Sequence, residues 1–232
     1  MLFFLLYLSI MMIWLVFIAL TILSLLVQGT LKSRFAKYSQ IPLSSGMTGA
    51  QVAQKMLYDN GIYDVSVVPT NGSLTDHYDP TKKTISLSED VFNSCSIAAA
   101  AVAAHETGHA IQDATSYAPL RMRSALVPVV NFASMTVQWV ILAGMLLVNV
   151  FPNLLWIGIA LFAVTTLFSI ITLPVEVNAS SRAVTWLTNA GIVDYDTRPM
   201  AVDALKWAAY TYFIAAISSL ATLLYYIGIA RR

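Results

Sequence analysis

Three stretches of this sequence lack Asp, Glu, Lys and Arg altogether: residues 1–27, 124–175 and 207–230. A helix needs about 20 apolar residues to cross the hydrocarbon core of a bilayer. In lipid the backbone must satisfy its own hydrogen bonds, which makes helices the natural form of such stretches. The first and last fit one crossing each. The middle one, 52 residues long, fits two, with Asn149, Pro152 and Asn153 as the break. Four transmembrane helices are therefore expected, at 1–27, 125–148, 153–173 and 208–229. Composition agrees: 58% of residues are hydrophobic and 11% charged, where a soluble domain carries about 25% charged. No Lys or Arg precedes the first apolar run, and it is too long for a signal-peptide core, so it reads as an anchor.

Two pieces remain outside the lipid, 28–124 and 175–207. Between them they hold 11 of the 13 basic residues, among them Lys32, Arg34, Lys82, Lys83, Arg121, Arg123, Arg182 and Arg198. Only Arg231 and Arg232 fall beyond the last crossing. An even number of crossings separates the two pieces, so they share one side. The positive-inside rule makes that side cytoplasmic and puts both termini outside. A net charge of +1 gives no sign of nucleic acid as a partner. Cys95 is the single cysteine, which excludes an intrachain disulfide.

The larger piece reads as a small α+β domain at the membrane surface of a mainly α protein. Thr48 is placed to cap a helix ending at Asn60 and Gly61. Val65–Pro69 and Thr84–Leu87 alternate like strands, and Asn71-Gly72 and Asp79-Pro80 mark turns between them. A small antiparallel sheet over 65–87 is expected. Ser94 or Ser96 then caps an alanine-rich helix over about 95–114, ended by Tyr117-Ala118-Pro119. In the second piece, a helix continues past Pro174 to Asn189. Gly191 closes it, and Asp196 or Thr197 caps the next helix.

Within the alanine-rich helix lies His105-Glu106-Thr107-Gly108-His109. The protein has only three histidines, and two stand here four residues apart, on one helix face. Both imidazoles can reach one metal ion, the arrangement of a zinc peptidase helix. Glu106, about 100 degrees around the helix from His105, can accept a proton from zinc-activated water without being a ligand. Gly108 leaves space beside the metal. Two histidines and a glutamate in so apolar a run would be costly without partners.

A catalytic zinc needs a third protein ligand and an open position. Gln112 and Thr115 stand where a metzincin has glycine and histidine, which excludes that class. His77, Glu89, Asp113 and Glu176 are the candidates. Asp113 lies a turn beyond the metal, and Glu89 precedes the helix start, where a carboxylate suits the dipole. Glu176 is the sole acid in an apolar helical stretch running from the third crossing, where an ionisable group marks function. It is the favoured ligand, the gluzincin arrangement.

With His105–His109, the segments Leu74-Thr75-Asp76-His77-Tyr78-Asp79-Pro80, Tyr117-Ala118-Pro119-Leu120-Arg121 and Leu173-Pro174-Val175-Glu176 give a resemblance over almost the whole length. The protein resembles the bacterial membrane-bound neutral zinc metallopeptidases of the YugP type. The resemblance implies a zinc-dependent endopeptidase of the bacterial inner membrane, with His105, His109 and Glu176 as ligands and Glu106 as base. Gluzincins often set an Asp four residues after the glutamate ligand, to orient a histidine; here that position is Ser180. Ser180, Asn178 or another group must do that work. His77 and Tyr78, expected in a loop of the sheet, are candidate donors to an oxyanion. Arg121 and Arg182 suit carboxylates or lipid phosphate. The expected partners are the bilayer and a membrane-associated polypeptide substrate, with room for a membrane protein partner or a second copy. Two other functions fit the motif less well. An intramembrane protease needs a longer apolar run around it than about 15 residues. A metal-braced scaffold would use a closed, four-ligand site.

Overall fold

The computed structural model describes residues 2–231. Met1, the first residue of the expected anchor, and Arg232, half of the C-terminal basic pair, lie outside the described residues. The elements run α1 (Leu2–Ser39), α2 (Gly49–Asp59), β1 (Ser66–Thr70), β2 (His77–Asp79), β3 (Thr84–Ser88), α3 (Glu89–Phe92), α4 (Ile97–Ala114), α5 (Ala118–Leu146), α6 (Asn153–Asn189) and α7 (Arg198–Ala230). The protein divides into two compact units. One comprises residues 2–27, Met122–Leu173 and residues 211–231; the other comprises Gln28–Arg121 and Pro174–Tyr210.

Among the described residues, four helices are long and apolar enough to cross a membrane: α1, α5, α6 and α7. Each overlaps one of the expected crossings, and all four extend past them: α1 to Ser39, α5 from Ala118, α6 to Asn189 and α7 from Arg198. Helical hydrogen bonding does not stop where hydrophobicity does; it stops at breakers. Gly191, at φ +65, follows the end of α6, a left-handed position that glycine takes at no steric cost. Before α7, the Asp194 carboxylate accepts from the backbone N–H groups of Asp196 and Thr197 and from the Thr197 hydroxyl. Asp194 thus organises the turn that leads into Arg198.

In the first unit the apolar helices pack through small residues and a few polar contacts. A Cβ on Gly158 would sit 2.7 Å from the Ile141 side chain and 3.1 Å from its backbone nitrogen, so α5 and α6 meet nearly backbone to backbone. Close approach at small residues is how helices associate where lipid supplies no hydrophobic drive. The Thr166 and Ser219 hydroxyls join α6 to α7 at 2.7 Å.

The second unit holds the buried core. Thr48 caps α2 as expected, in a reciprocal capping box with Gln51, which satisfies two otherwise orphaned donors. Ser96, rather than Ser94, caps α4 by accepting from the Ala99 N–H. Met56, Ile85, Leu87, Val91, Ile97 and the Ala98–Ala101 run are buried together. Alanine favours the helix, and its small side chain brings α2 and the sheet close against α4.

The sheet is mixed, which corrects the antiparallel expectation. Its order is β1-β3-β2, with β1 parallel to β3 and β2 antiparallel to it. Residues 71–76 carry the backbone past the position that β3 later fills. The Asp79-Pro80 turn then folds β3 back between the two earlier strands. His77 and Tyr78 therefore lie in a strand, not a loop. Their three-residue strand is too short for alternation to announce it.

Candidate metal centre

Helices α4 and α6 bring the site together within the second unit. Residues 105 and 109 share a face of α4, and Glu176 faces them from α6. The Glu176 Oε2 stands 3.2 Å from His105 Nε2 and 3.6 Å from His109 Nε2. One ligand atom from each of the three lies within 4.8 Å of the others. Zinc ligands about 2.0–2.2 Å from the metal at tetrahedral angles stand roughly 3.3–3.6 Å apart. Two neutral imidazoles and one carboxylate therefore fit a zinc ion in both chemistry and spacing. Glu176 is 2% exposed, against 12% and 9% for the two imidazoles. A carboxylate so deeply buried needs a cationic partner.

Each ring's other nitrogen is held as well. The His105 Nδ1 lies 3.0 Å from the Ser180 hydroxyl, the position where many gluzincins have an Asp. The His109 Nδ1 lies 3.0 Å from the Gln112 Oε1. Gln112 donates through Nε2 to the Val175 carbonyl at 2.8 Å and to the Asn178 Oδ1 at 3.0 Å. Those two acceptors fix which end of the amide is oxygen, so the His109 Nδ1 must be the donor. The proton on Nδ1 leaves the Nε2 lone pair facing Glu176. Ser180 thus meets His105 directly, whereas Asn178 reaches His109 only through Gln112. Gln112 was missed, although it follows His109 by three residues on the same helix face. The sequence presented it only as a departure from the metzincin pattern.

Electrostatics reinforce the cluster. Burial alone pushes the His109 imidazole toward the neutral form, yet its pKa is raised overall. The Glu176 hydrogen bond and the nearby charges of Glu106 and Glu176 outweigh burial. These are the fields that would hold a divalent cation in place of the proton. Glu106 is 8% exposed, lies outside the three-ligand cluster, and makes no hydrogen bond or ion pair among the described residues. Its carboxylate is unclaimed.

Gly108 has a different part from the one read in the sequence. A Cβ there would meet the Ala179 carbonyl oxygen at 2.7 Å and the Ala179 Cα at 3.1 Å. The glycine makes room for the α6 backbone, and that close approach carries Glu176 and Ser180 to the histidines.

The other candidates are placed elsewhere. Asp113 is engaged by the Lys83 ammonium at 2.7 Å and the Tyr78 hydroxyl at 2.9 Å. Its pKa is lowered despite partial burial, because the Lys83 and Tyr78 donors favour the charged form. Burial and the Asp113 carboxylate push the Tyr78 phenol up. Glu89 opens the short helix α3. His77 is exposed, and its Nδ1 donates to the Thr75 carbonyl at 2.8 Å. Its Nε2 then offers a proton to an oxyanion only when the ring is protonated. Arg121 donates to the Ser116 hydroxyl and Arg182 to the Asn178 Oδ1.

With this geometry established, comparison with known proteins agrees. The family described as "Putative neutral zinc metallopeptidase" matches residues 12–231. The protein is 46% identical over 217 residues to "Putative membrane protease YugP" of Bacillus subtilis (strain 168), covering 92% of this protein and 96% of that one. No solved structure matches it. The four apolar helices and the His105, His109 and Glu176 cluster thus belong to a multi-pass membrane protein, and the chain is a member of the neutral zinc metallopeptidase family.

Proposed function

We propose that the protein is a gluzincin-type endopeptidase that hydrolyses peptide bonds of membrane-associated polypeptides at the cytoplasmic face, in membrane protein processing or quality control. The observation that carries it is the convergence of His105 Nε2, His109 Nε2 and Glu176 Oε2 beside an unclaimed Glu106 carboxylate. Zinc, when held there, supplies a Lewis acid that acidifies water and polarises a carbonyl oxygen. Glu106 takes the proton of the attacking water on its carboxylate and delivers it to the departing amine nitrogen. Ser180 and Gln112 keep the two imidazoles in orientation throughout. The relative's name, a membrane protease, supports the same reaction class. The surplus of Lys and Arg in 28–124 and 175–207 supports the cytoplasmic side.

Two observations weigh against the alternatives. The α4 helix, which carries the motif, is not among the four helices apolar enough to cross a membrane, which disfavours an intramembrane protease. A closed structural site would recruit a fourth ligand, and the cluster has three among the described residues.

The deciding experiment is Glu106→Gln in the full-length, zinc-loaded protein. Cleavage of a membrane-associated test polypeptide should fall by about 10²–10⁴-fold, the usual contribution of a positioned base, while zinc content stays at one ion per molecule. Wild-type cleavage by a zinc-loaded variant would refute the mechanism.

A further inference from the structure

A cavity of about 310 Å³ opens in the second unit between α2, α4 and α6. Met56 and Ile111 give it an apolar side; Ser181, Arg182, Thr185 and Trp186 project from successive turns of α6 to give it a polar one. Trp186 is held in place, its indole N–H donating to the Asp59 Oδ2 at 3.1 Å. That carboxylate is already paired with Lys55 at 2.9 Å. Among the described residues, Arg182 is the one charged residue lining the cavity. Its Nε donates to the Asn178 Oδ1 at 2.8 Å, which fixes the guanidinium. No carboxylate pairs with it, and its two terminal nitrogens make no hydrogen bond or ion pair among the described residues. The Ser181 and Thr185 hydroxyls are likewise unclaimed, although a helical threonine commonly returns its hydroxyl to the carbonyl four residues back.

A fixed guanidinium with two free forked donors, flanked by hydroxyls and faced by an apolar wall, is matched by a carboxylate on a short apolar stem. The cavity volume sits at the small end of ligand pockets, suited to one residue of a peptide. The same Arg182 lies on a series of three hydrogen bonds to a metal ligand: Arg182 to Asn178, Gln112 to Asn178, and His109 to Gln112. Ile111 follows His109 by two residues on α4.

We infer that this cavity is a subsite for a polypeptide carboxylate, either an acidic side chain or the C-terminal carboxylate, with Arg182 as its anchor. The inference rests on the peptidase function proposed above and names what its substrates present. Arg182 is a specificity residue here, and its bond to Asn178 ties the subsite to the orientation of His109.

The test uses full-length, zinc-loaded protein in nanodiscs and paired peptides that differ only in Glu against Gln, or in a free against an amidated C-terminus. The carboxylate peptide should show a KM about tenfold lower, the scale of one charged hydrogen bond. Arg182→Gln should abolish the discrimination, giving the acid and amide peptides the same KM. Thr185→Phe, which fills the cavity without touching the Arg182–Asn178 bond, should do the same, with zinc content reporting an intact fold in both. Cleavage by wild type without carboxylate discrimination would overturn the subsite and leave the peptidase function standing. Absence of all cleavage would overturn the function. Binding of the same peptides to Glu106→Gln, followed by fluorescence anisotropy, then decides the subsite alone: equal affinity for acid and amide overturns it. Repeating the assay with and without anionic phospholipid separates sources. An Arg182 effect that tracks the lipid and not the peptide carboxylate overturns the proposal in favour of a phosphate headgroup.

Discussion

The Gln112 side chain is fully buried, and its Oε1 accepts the His109 Nδ1 proton at 3.0 Å while its amide nitrogen spans to the Val175 carbonyl and Asn178. One residue thus both sets a tautomer on α4 and fastens α4 to α6. Gln112→Leu should weaken zinc affinity by about 10–100-fold, the usual effect of removing a group that orients a metal ligand. It should also destabilise the protein by about 1–3 kcal/mol, since the His109 Nδ1–H is left buried without its acceptor. Competition with a zinc-binding dye gives the first number, and urea titration in micelles the second. An unchanged zinc affinity would show that His109 is oriented by something else.

Gly108→Ala drives a methyl group into the Ala179 carbonyl. Because the neighbour is backbone, it cannot rotate away, and overpacking of this kind costs about 1–3 kcal/mol. The helix-propensity gain from alanine, up to about 1 kcal/mol, offsets part of that. The variant should still fold at low temperature but bind zinc more weakly, because pushing α6 away moves Glu176 from both imidazoles. Zinc content against temperature checks it.

Removal of a ligand acts more directly. Glu176→Ala should lose tight zinc, leaving two imidazoles on one helix face. Saturating the wild type at about 100 times its dissociation constant should add roughly 2.7 kcal/mol of stability by mass action. The variant should gain little from the same zinc concentration. Equal protection of both would remove Glu176 from the ligand set.

The Lys83–Asp113–Tyr78 cluster ties the sheet to the metal helix, and its pH dependence has a definite sign. Asp113 has a folded pKa below its ordinary value. Its stabilising contribution is therefore present above the unfolded pKa, near 3.9, and is lost as pH falls toward the lower folded value. Lys83 is shifted up, chiefly by its hydrogen bond to Asp113. Its contribution is present below the ordinary lysine pKa and lost as pH rises through the folded one. Lys83 is 40% exposed, so the pair is worth at most about 1 kcal/mol. Asp113→Asn should flatten the stability profile between about pH 5 and 3 and leave neutral-pH zinc binding intact. A profile as steep as wild type would assign the acid sensitivity to other carboxylates.

The exposed Cys95 thiol is a ready reporter of sidedness. With the domain on the cytoplasmic face, a membrane-impermeant maleimide should label it in inverted vesicles and not in intact cells. Labelling of intact cells would place the domain outside.

Charge distribution alone determined the four crossings, because a bilayer core penalises charge wherever it occurs and the penalty is local to each stretch. The spacing of His105, Glu106 and His109 was equally legible, since helix periodicity fixes which side chains share a face. Glu176 could be nominated because a lone acid in an apolar helix is costly without a partner. What the sequence could not decide involves long-range approach. The parallel pairing of β1 with β3 follows from where residues 71–76 carry the backbone, which no local pattern records. The role of Gly108 depends on the Ala179 backbone, 71 positions away in sequence. Gln112 showed its purpose only once α6 brought Val175 and Asn178 to its amide. Hydrogen bonds between distant segments leave no period in a sequence; they exist only after packing has set the distances.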